Sequence, residues 1–238
     1  MKLLVSVHSA GEAETALLAG ADVIDAKDPS AGALGAVALD VFTAIHAVAG
    51  ERRPVSAALG DVADAETVAQ IASAFVARGA QVVKIGFAGV SDRARVHEMI
   101  AAAVRVSRGA SVVAVAYADA STAGSIDASG LIEIAARASA RGVLVDTADK
   151  AGPGLTTLWT DNELSSWIAR AHDADLFAAV AGKLQARDLT RVAESGADIA
   201  GVRGAACAGG RSGRVSRELV QRLVAVTRIA ETNRSVLL

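Results

Sequence analysis

A chain of 238 residues that is 52% hydrophobic and 21% charged has the apolar content of a globular protein with one sizeable core. Its formal net charge of −2 and its aromatic content of 3% argue against a surface that binds nucleic acid or an anionic membrane. Cys207 is the only cysteine and the four histidines are scattered, so we expect neither a disulfide framework nor a metal site.

No segment of the chain is expected to enter a membrane or to direct export. The apolar run at residues 3–7 is too short for a signal peptide, and it leads into a helical pattern that contains Glu12 and Glu14. Charges or glycines interrupt every longer apolar run before it reaches the length of a membrane span. We therefore expect a cytoplasmic protein.

Short valine-rich runs alternate with alanine-rich helical segments from one end of the chain to the other. The predicted strands cover residues 2–7, 22–26, 54–59, 81–85, 111–117, 142–146, 176–181 and 199–203. The predicted helices cover residues 12–19, 36–49, 63–78, 92–107, 129–140, 161–171, 186–194 and 216–229. Eight such units without a linker predict one (β/α)₈ TIM-barrel domain over residues 1–238. A doubly wound sheet is the alternative, but no GxGxxG motif follows the first strand.

The second predicted strand ends in a pair of charged residues at close spacing. Asp25 and Lys27 are two residues apart, so in an extended segment their side chains share one face. Because Val23 and Ile24 precede them and a glycine-rich turn follows, we expect both side chains to project into the mouth of the barrel. The alternative is a surface salt bridge.

Two further lysines lie where catalytic side chains of a barrel are expected. Lys84 interrupts an apolar strand and shares its inward face with Val82, where an unpaired charge is costly. We expect it to be paired with an aspartate or exposed to substrate; a buried structural ion pair is the alternative. Lys150 follows Asp146 by four residues, ahead of a rigid Gly-Pro-Gly turn, although a solvated loop lysine would fit the same spacing.

These lysines together suggest imine chemistry on a carbonyl substrate. Burial among apolar residues, and repulsion between neighbouring ammonium groups, would lower the pKa of a lysine toward the range in which the amine is a nucleophile or a base. The sequence leaves open which of Lys27 and Lys84 forms the imine, since burial alone favours Lys84. Such chemistry requires no metal and no redox cofactor.

Two small-residue loops are candidates for phosphate binding. Residues 181–184 follow the seventh strand and residues 203–211 follow the eighth, which is where barrels commonly bind phosphate. The candidate phosphate-binding residues are Gly182, Lys183, Gly204, Ala205, Gly209 and Arg211. A third loop, residues 30–35, could approach a second phosphate. Cys207 is expected to be a buried filler rather than a nucleophile, and His8 to have a minor polar role.

Several segments spread along the whole chain resemble the (5-formylfuran-3-yl)methyl phosphate synthase family of furan-cofactor biosynthesis. They are Leu-Val-Ser near the start, Gly-Ala-Asp-Val-Ile-Asp-Ala-Lys-Asp-Pro with Gly-Ala-Leu-Gly-Ala behind it, Val-Ser-Ala-Ala-Leu-Gly-Asp, Val-Lys-Ile-Gly-Phe, Ala-Tyr-Ala-Asp-Ala, Leu-Val-Asp-Thr-Ala-Asp-Lys and Ala-Gly-Lys-Leu. The combination is specific, whereas no single segment would be.

The resemblance implies a TIM-barrel lyase that condenses two molecules of glyceraldehyde 3-phosphate, with loss of water and one phosphate. It places the Schiff base on Lys27 and proton transfer on Lys84 as the proton acceptor. Asp25, Asp146 and Lys150 match further active-site positions. The alanine- and arginine-rich composition suggests a bacterial member that serves methylofuran rather than archaeal methanofuran synthesis. The glycine-rich stretch after Lys150 and the polar His8 depart from the family pattern.

Two other functions fit the same residues. A class I aldolase that acts on another phosphorylated sugar would share the barrel, the lysine and the phosphate loops. A non-catalytic barrel that binds a phosphorylated metabolite would share the loops but would turn nothing over. The alanine-rich helix at residues 63–78 would permit close contact between copies, which favours a homo-oligomer.

Overall fold

A computed structural model of the chain describes residues 1–62 and 64–236. Eight parallel strands close into a barrel in which each strand pairs with the next and β8 pairs with β1. The strands are β1 Lys2–Val7, β2 Val23–Ala26, β3 Val55–Asp61, β4 Val82–Gly86, β5 Ser111–Tyr117, β6 Gly142–Asp146, β7 Phe177–Val180 and β8 Ile199–Val202. The predicted TIM-barrel fold is confirmed; β1, β5 and β6 have the predicted ends, and the other strands differ from prediction by at most two residues at either end.

Helices cover the outside of the barrel and connect successive strands. They are α1 Ala10–Leu18, α2 Leu39–Ala49, α3 Ala65–Val76, α4 Arg93–Val106, α5 Ala120–Ala123, α6 Ala128–Arg137, α7 Leu155–Leu158, α8 Asp161–Asp173, α9 Leu189–Glu194 and α10 Arg217–Val236. The start of the predicted helix 63–78 lies outside the described residues, and α3 begins after Asp64, whose side chain caps it. In the parts of the chain that the structure describes, no helix is both long and apolar enough to span a bilayer.

The sequence pattern missed the small elements in the loops at the carboxyl end of the barrel. These are α5, α7, the 3₁₀ turns Ala186–Asp188 and Gly204–Ala206, and a hairpin of β9 Cys207–Ala208 with β10 Arg214–Val215. Elements of two to four residues are too short to show a hydrophobic period, so the pattern could not reveal them. The first of the 3₁₀ turns replaces the start of the predicted helix 186–194.

Alternation of side chains along the strands divides the apolar residues between two cores. Outward-facing residues such as Ile24, Val83 and Val145 pack against the helices in the larger core. Inward-facing residues form a smaller core inside the barrel, built from Ala33, Leu34, Ala58, Val113, Val115, Tyr117, Leu144 and Ala179. The strand residues of this inner core lie on β3, β5, β6 and β7, whereas the polar inward-facing residues Ser6, Asp25, Ser56 and Lys84 lie side by side on β1 to β4.

The inner core is closed by a glycine at the end of β4. A Cβ atom on Gly86 would overlap Asp61 Oδ1 and would lie 2.6 Å from both Leu34 Cδ1 and the Tyr117 hydroxyl. That hydroxyl donates a 2.6 Å hydrogen bond to Asp61 Oδ1. The close approach of three side chains therefore requires a residue without a Cβ atom at position 86.

We expect Gly86→Ala to lower the free energy of unfolding by ~1–3 kcal/mol, because overpacking displaces the buried Tyr117 side chain and breaks its hydrogen bond to Asp61. Gly11→Ala is the matched control, since a Cβ atom there meets nothing within 4 Å and the residue lies inside α1. Replacing a helical glycine with alanine should raise stability by about 0.5 kcal/mol. Urea denaturation of both variants measures the two changes, and equal effects would contradict the close-packing argument.

Candidate active site

A cavity of about 280 Å³ opens at the carboxyl end of the barrel, where catalytic residues of this fold lie. We call it the mouth cavity, and its charged lining includes all five candidate catalytic residues: Asp25, Lys27, Lys84, Asp146 and Lys150. Its volume lies near the lower end of the range for small-molecule sites. A larger cavity of about 460 Å³ opens at the amino end and shares Lys84 with it, but contains none of the other four.

Lys84 lies inside the barrel as one half of a buried ion pair. Its Nζ is 2.6 Å from Asp25 Oδ1, and the two side chains are 4% and 0% exposed. The same carboxylate accepts hydrogen bonds from Ser6 Oγ at 2.9 Å and from Ser56 Oγ at 2.6 Å. Lys84 therefore has its charge balanced by Asp25, and Asp25 has hydrogen bonds on both oxygens.

Lys150 forms the second ion pair of the mouth cavity. Its Nζ lies 2.6 Å from Asp146 Oδ1 and also donates to the carbonyl oxygen of Thr147. Burial would raise the pKa of the Asp146 carboxyl, but the charges of Lys150 and Lys27, together with hydrogen bonds from Lys150 and the Thr147 backbone, hold that pKa below its usual value. The turn after β6 thus fixes Lys150 over the cavity rather than in solvent.

Among the three candidate catalytic lysines, Lys27 is the one without an ion-pair partner in the part of the chain that the structure describes. Within residues 1–62 and 64–236, its Nζ makes neither an ion pair nor a hydrogen bond, and the residue is 7% exposed. Burial lowers the pKa of Lys27 to about 8; Asp146 and Asp25 oppose this shift, while Lys84 and Lys150 add to it. About a tenth of this amine is therefore neutral at pH 7, which makes Lys27 the better nucleophile. Geometry favours Lys27 over Lys84, which the residue pattern alone could not do.

The loops after β7 and β8 bring two further cations to the rim. Lys183 lines the cavity beside Gly182, has a φ of 61°, and donates to the carbonyl oxygen of Gly152. Arg211 lines it beside Gly204 and donates to the carbonyl oxygens of Pro29 and Gly32 at 3.1 and 2.7 Å. Both cations contact backbone carbonyls, and neither forms an ion pair with a carboxylate of the described residues, so both are open to a bound anion.

Two of the candidate phosphate-binding residues do not reach the mouth cavity. Among the described residues that line it, Gly210 is present while Ala205 and Gly209 are not. Ala205 packs against the outer core within a 3₁₀ turn, and Gly209 lies in the hairpin loop with a φ of 84°. A run of small residues does not indicate which of them face the cavity. Here the hairpin of β9 and β10 determines the direction of each residue in the loop.

Cys207 and His8 stay outside the chemistry of the cavity. Cys207 is buried, and burial raises the pKa of its thiol, which disfavours the nucleophilic thiolate. The His8 ring lies 3.7 Å from Glu12, away from the cavity lining. Both placements agree with the minor roles expected from the sequence.

A buried ion pair anchors the loop that carries Arg211. The Arg203 guanidinium binds both carboxylate oxygens of Glu12 and donates to the carbonyl oxygens of Ser6, Arg211 and Gly213. Burial would raise the pKa of the Glu12 carboxyl, but hydrogen bonds from Arg203 and from the backbone N–H groups of His8 and Val215, together with the charge of Arg203, lower that pKa overall. The arginine is thus fully occupied in holding the hairpin loop against β1.

The residue pattern missed two polar groups next to the site. Ser6 and Ser56 hold Asp25, and Tyr117 donates to Asp61 at the ends of β5 and β3. Burial, and then the charge of Asp61, raise the pKa of the Tyr117 hydroxyl, which keeps it protonated. Counting alternate positions along the predicted strands would have placed Ser6 and Ser56 on the inward faces beside Asp25.

Comparison with known proteins identifies close similarities over nearly the whole chain. A family model described as 4-HFC-P synthase matches residues 3–224. The chain is 35% identical over 230 residues to the (5-formylfuran-3-yl)methyl phosphate synthase of Methanosarcina mazei, covering 94% of this chain and 98% of that protein. It is 38% identical over 229 residues to the protein of the same name from Methanopyrus kandleri, covering 93% and 97%.

Solved structures with low sequence identity share the fold. The 3-hexulose-6-phosphate synthase from Salmonella typhimurium matches with a TM-score of 0.68 over 97% of this chain and 100% of that chain. Its sequence identity is 18%, so this likeness shows the barrel alone.

Replacing the two buried lysines should change stability in opposite directions. At pH 7 Lys27→Met should raise the free energy of unfolding by about 3 kcal/mol, since it removes a charge whose pKa falls from 10.5 to about 8 on folding. The cost of burying Lys27 is complete below pH 8 and disappears as pH rises to 10.5, so this gain should shrink over that range.

Lys84→Met should instead lower stability by ~3–5 kcal/mol, because it leaves the Asp25 carboxylate buried without its partner. Urea denaturation of both variants at pH 7 and pH 10 measures the contrast. Stability changes of the same sign at pH 7 would contradict the assignment of Lys27 as the unpaired charge.

Proposed function

Since this chain belongs to the 4-HFC-P synthase family and is an enzyme, we propose that it condenses two molecules of glyceraldehyde 3-phosphate into (5-formylfuran-3-yl)methyl phosphate. One phosphate and two waters leave, which balances the atoms of two triose phosphates against the product. The furan would serve synthesis of a methanofuran- or methylofuran-type cofactor. The observation that carries the proposal is the buried, unpaired amine of Lys27, held between two ion-paired lysines.

The first bond forms between Lys27 Nζ and the aldehyde carbon of one substrate. The neutral amine adds to the carbonyl and gives a carbinolamine, which loses its hydroxyl as water to form a protonated imine. The positive nitrogen then acidifies the adjacent C–H bond. Lys27 suits this step because burial keeps part of its amine neutral near physiological pH.

The next steps transfer a proton and expel phosphate. Lys84, which lines the cavity deeper in the barrel, accepts the proton of the acidified carbon and leaves an enamine. The electron pair of the enamine expels the β-phosphate, which accounts for the one phosphate released. The three-carbon fragment that remains on Lys27 then condenses with the second aldehyde, and we assign the later proton transfers to the ion-paired Asp146 and Lys150.

Two phosphorylated substrates require two anion sites. Lys183 with Gly182, and Arg211 with Gly204, lie on different loops around the same cavity. Backbone N–H groups of small residues together with a nearby cation are typical of phosphate sites in barrels. We infer that one loop holds the phosphate that leaves and the other the phosphate that stays in the product.

The proposal predicts a product that absorbs in the near ultraviolet and a covalent adduct on one lysine. Incubation with glyceraldehyde 3-phosphate should give a growing near-ultraviolet furaldehyde band with release of free phosphate, and borohydride should trap the substrate on Lys27. Lys27→Met should lower turnover by at least about a thousandfold. Lys2→Met is the matched control, because Lys2 lies at the opposite end of the barrel and should be dispensable.

The other outcomes separate the competing functions. An adduct on Lys27 without furaldehyde or free phosphate would indicate a class I aldolase. Binding of the substrate without adduct or product would indicate a barrel that only binds a phosphorylated metabolite.

The rate of adduct formation should depend on pH through the Lys27 amine. Because burial lowers the pKa of Lys27 to about 8, the trapping rate should rise about tenfold per pH unit below pH 8 and level off above it. Asp146→Asn should shift the midpoint to lower pH, since the Asp146 charge raises the pKa of Lys27. Borohydride trapping at a series of pH values measures both, and a rate still rising above pH 10 would contradict the lowered pKa.

A further inference from the structure

The Asp25 carboxylate is the most completely buried charged group of the mouth cavity. Its side chain is 0% exposed, and both of its oxygens are in contact with hydrogen-bond donors. Oδ1 accepts from Ser56 Oγ at 2.6 Å and forms an ion pair with Lys84 Nζ at 2.6 Å, and Oδ2 accepts from Ser6 Oγ at 2.9 Å. A carboxylate in such a place is costly unless each oxygen is hydrogen-bonded, and here each one is.

The two serines are placed by strand register rather than by chance. Ser6 of β1 pairs with Asp25 of β2, and Asp25 pairs with Ser56 of β3. The three side chains therefore form one inward-facing row across neighbouring strands. Ser6 is 3% exposed and Ser56 is 1% exposed, so neither hydroxyl is offered to solvent.

In a buried lysine–aspartate pair at 2.6 Å, one proton can lie either on the lysine nitrogen or on the carboxyl group. The pair can be an ammonium and a carboxylate, or an amine and a carboxylic acid, and low polarity favours the neutral form. Hydrogen bonds from hydroxyl groups to a carboxylate are roughly twice as strong as neutral ones. Two serine hydroxyls on Asp25 thus favour the charged arrangement, with the proton on Lys84.

We propose that Ser6 and Ser56 are positioning residues that keep Asp25 a carboxylate directed at Lys84, so that Lys84 begins each reaction cycle as a proton donor. This inference rests on the proposed function. The Lys84 ammonium gives its proton to the hydroxyl of the carbinolamine on Lys27; the C–O bond breaks, water leaves and the protonated imine forms. Lys84 is then a neutral amine, and it accepts the C–H proton when the enamine forms, which restores the ammonium.

This cycle explains how an ion-paired lysine can act as a base. An ammonium cannot accept a proton, so Lys84 must first lose one, and imine formation supplies the acceptor for it. Asp25 is fully buried, so a proton held on Asp25 would have to reach the substrate through Lys84. Without the serines, the neutral arrangement would leave Lys84 unable to donate at the first step.

The test compares Ser6→Ala and Ser56→Ala with the unchanged protein, using glyceraldehyde 3-phosphate. The loss of one hydrogen bond to a charged group corresponds to ~10–100-fold in rate. We expect kcat and the rate of borohydride trapping at Lys27 to fall by that factor, while KM changes less than about threefold, because substrate binds on the loops after β7 and β8. Ser56→Thr retains the hydroxyl and should recover most of the lost rate.

The matched control is Ser107→Ala. Ser107 is another buried serine, at the end of α4, and its hydroxyl has no hydrogen-bond partner among the described residues. Its removal should leave kcat and trapping unchanged. If Ser56→Ala does not fold, Ser56→Cys keeps nearly the same volume with a much weaker donor and should show the same loss.

The outcomes separate this inference from the proposed function. In one outcome, the unchanged protein forms product while both serine variants keep the same kcat and trapping rate. That result would overturn the role of the serines and leave the proposed function intact. Two results would indicate a merely structural role for the serines. One is a fall in kcat accompanied by a rise in KM and a fall in thermal stability, and the other is normal trapping at Lys27 with slow turnover. If the unchanged protein gives neither adduct nor product, the proposed function itself fails.

Discussion

Three lysines and two aspartates share one poorly solvated cavity, and this unequal count of charges constrains the rest of the site. Lys84 and Lys150 each take one aspartate at 2.6 Å. Lys27 has none, and the least costly response to burial of an unpaired amine is to lose its proton. The reactivity of Lys27 is thus a property of the whole group, because any change that freed an aspartate would move the proton back toward Lys27.

Polar contacts that take no part in the chemistry hold the reacting groups in place. The Glu12–Arg203 pair anchors the loop after β8, and Arg211 of that loop joins it to the loop after β2. On the opposite side, the Asp119 carboxylate accepts from the backbone N–H groups of Ala148 and Asp149. These contacts bridge neighbouring loops around the rim, so that the rigid barrel determines the positions of side chains on otherwise irregular segments.

The repeating pattern of the sequence is sufficient to predict most of the fold and about half of the site. Alternation of valine-rich and alanine-rich segments predicts eight strands, and a lysine between β-branched residues identifies Lys84 as inward-facing. The pattern cannot predict that Lys84 forms an ion pair with Asp25, because this contact depends on the stagger between strands that are far apart in the chain. Likewise, the inward direction of Gly210 rather than Gly209 follows from a hairpin too short to leave a periodic signal.

The charges around the mouth cavity also bear on how quickly ligands arrive and leave. The chain has a formal net charge of −2, yet cationic side chains on the cavity lining outnumber the two aspartates there. A positive opening on a mildly negative molecule attracts anions over about a Debye length, ~8 Å at physiological ionic strength. Encounter with a phosphorylated ligand should accordingly be slowed by added salt. If the proposed reaction holds, the same attraction would retain the inorganic phosphate that it releases, and that ion should then inhibit by competing for the opening through which the next substrate enters.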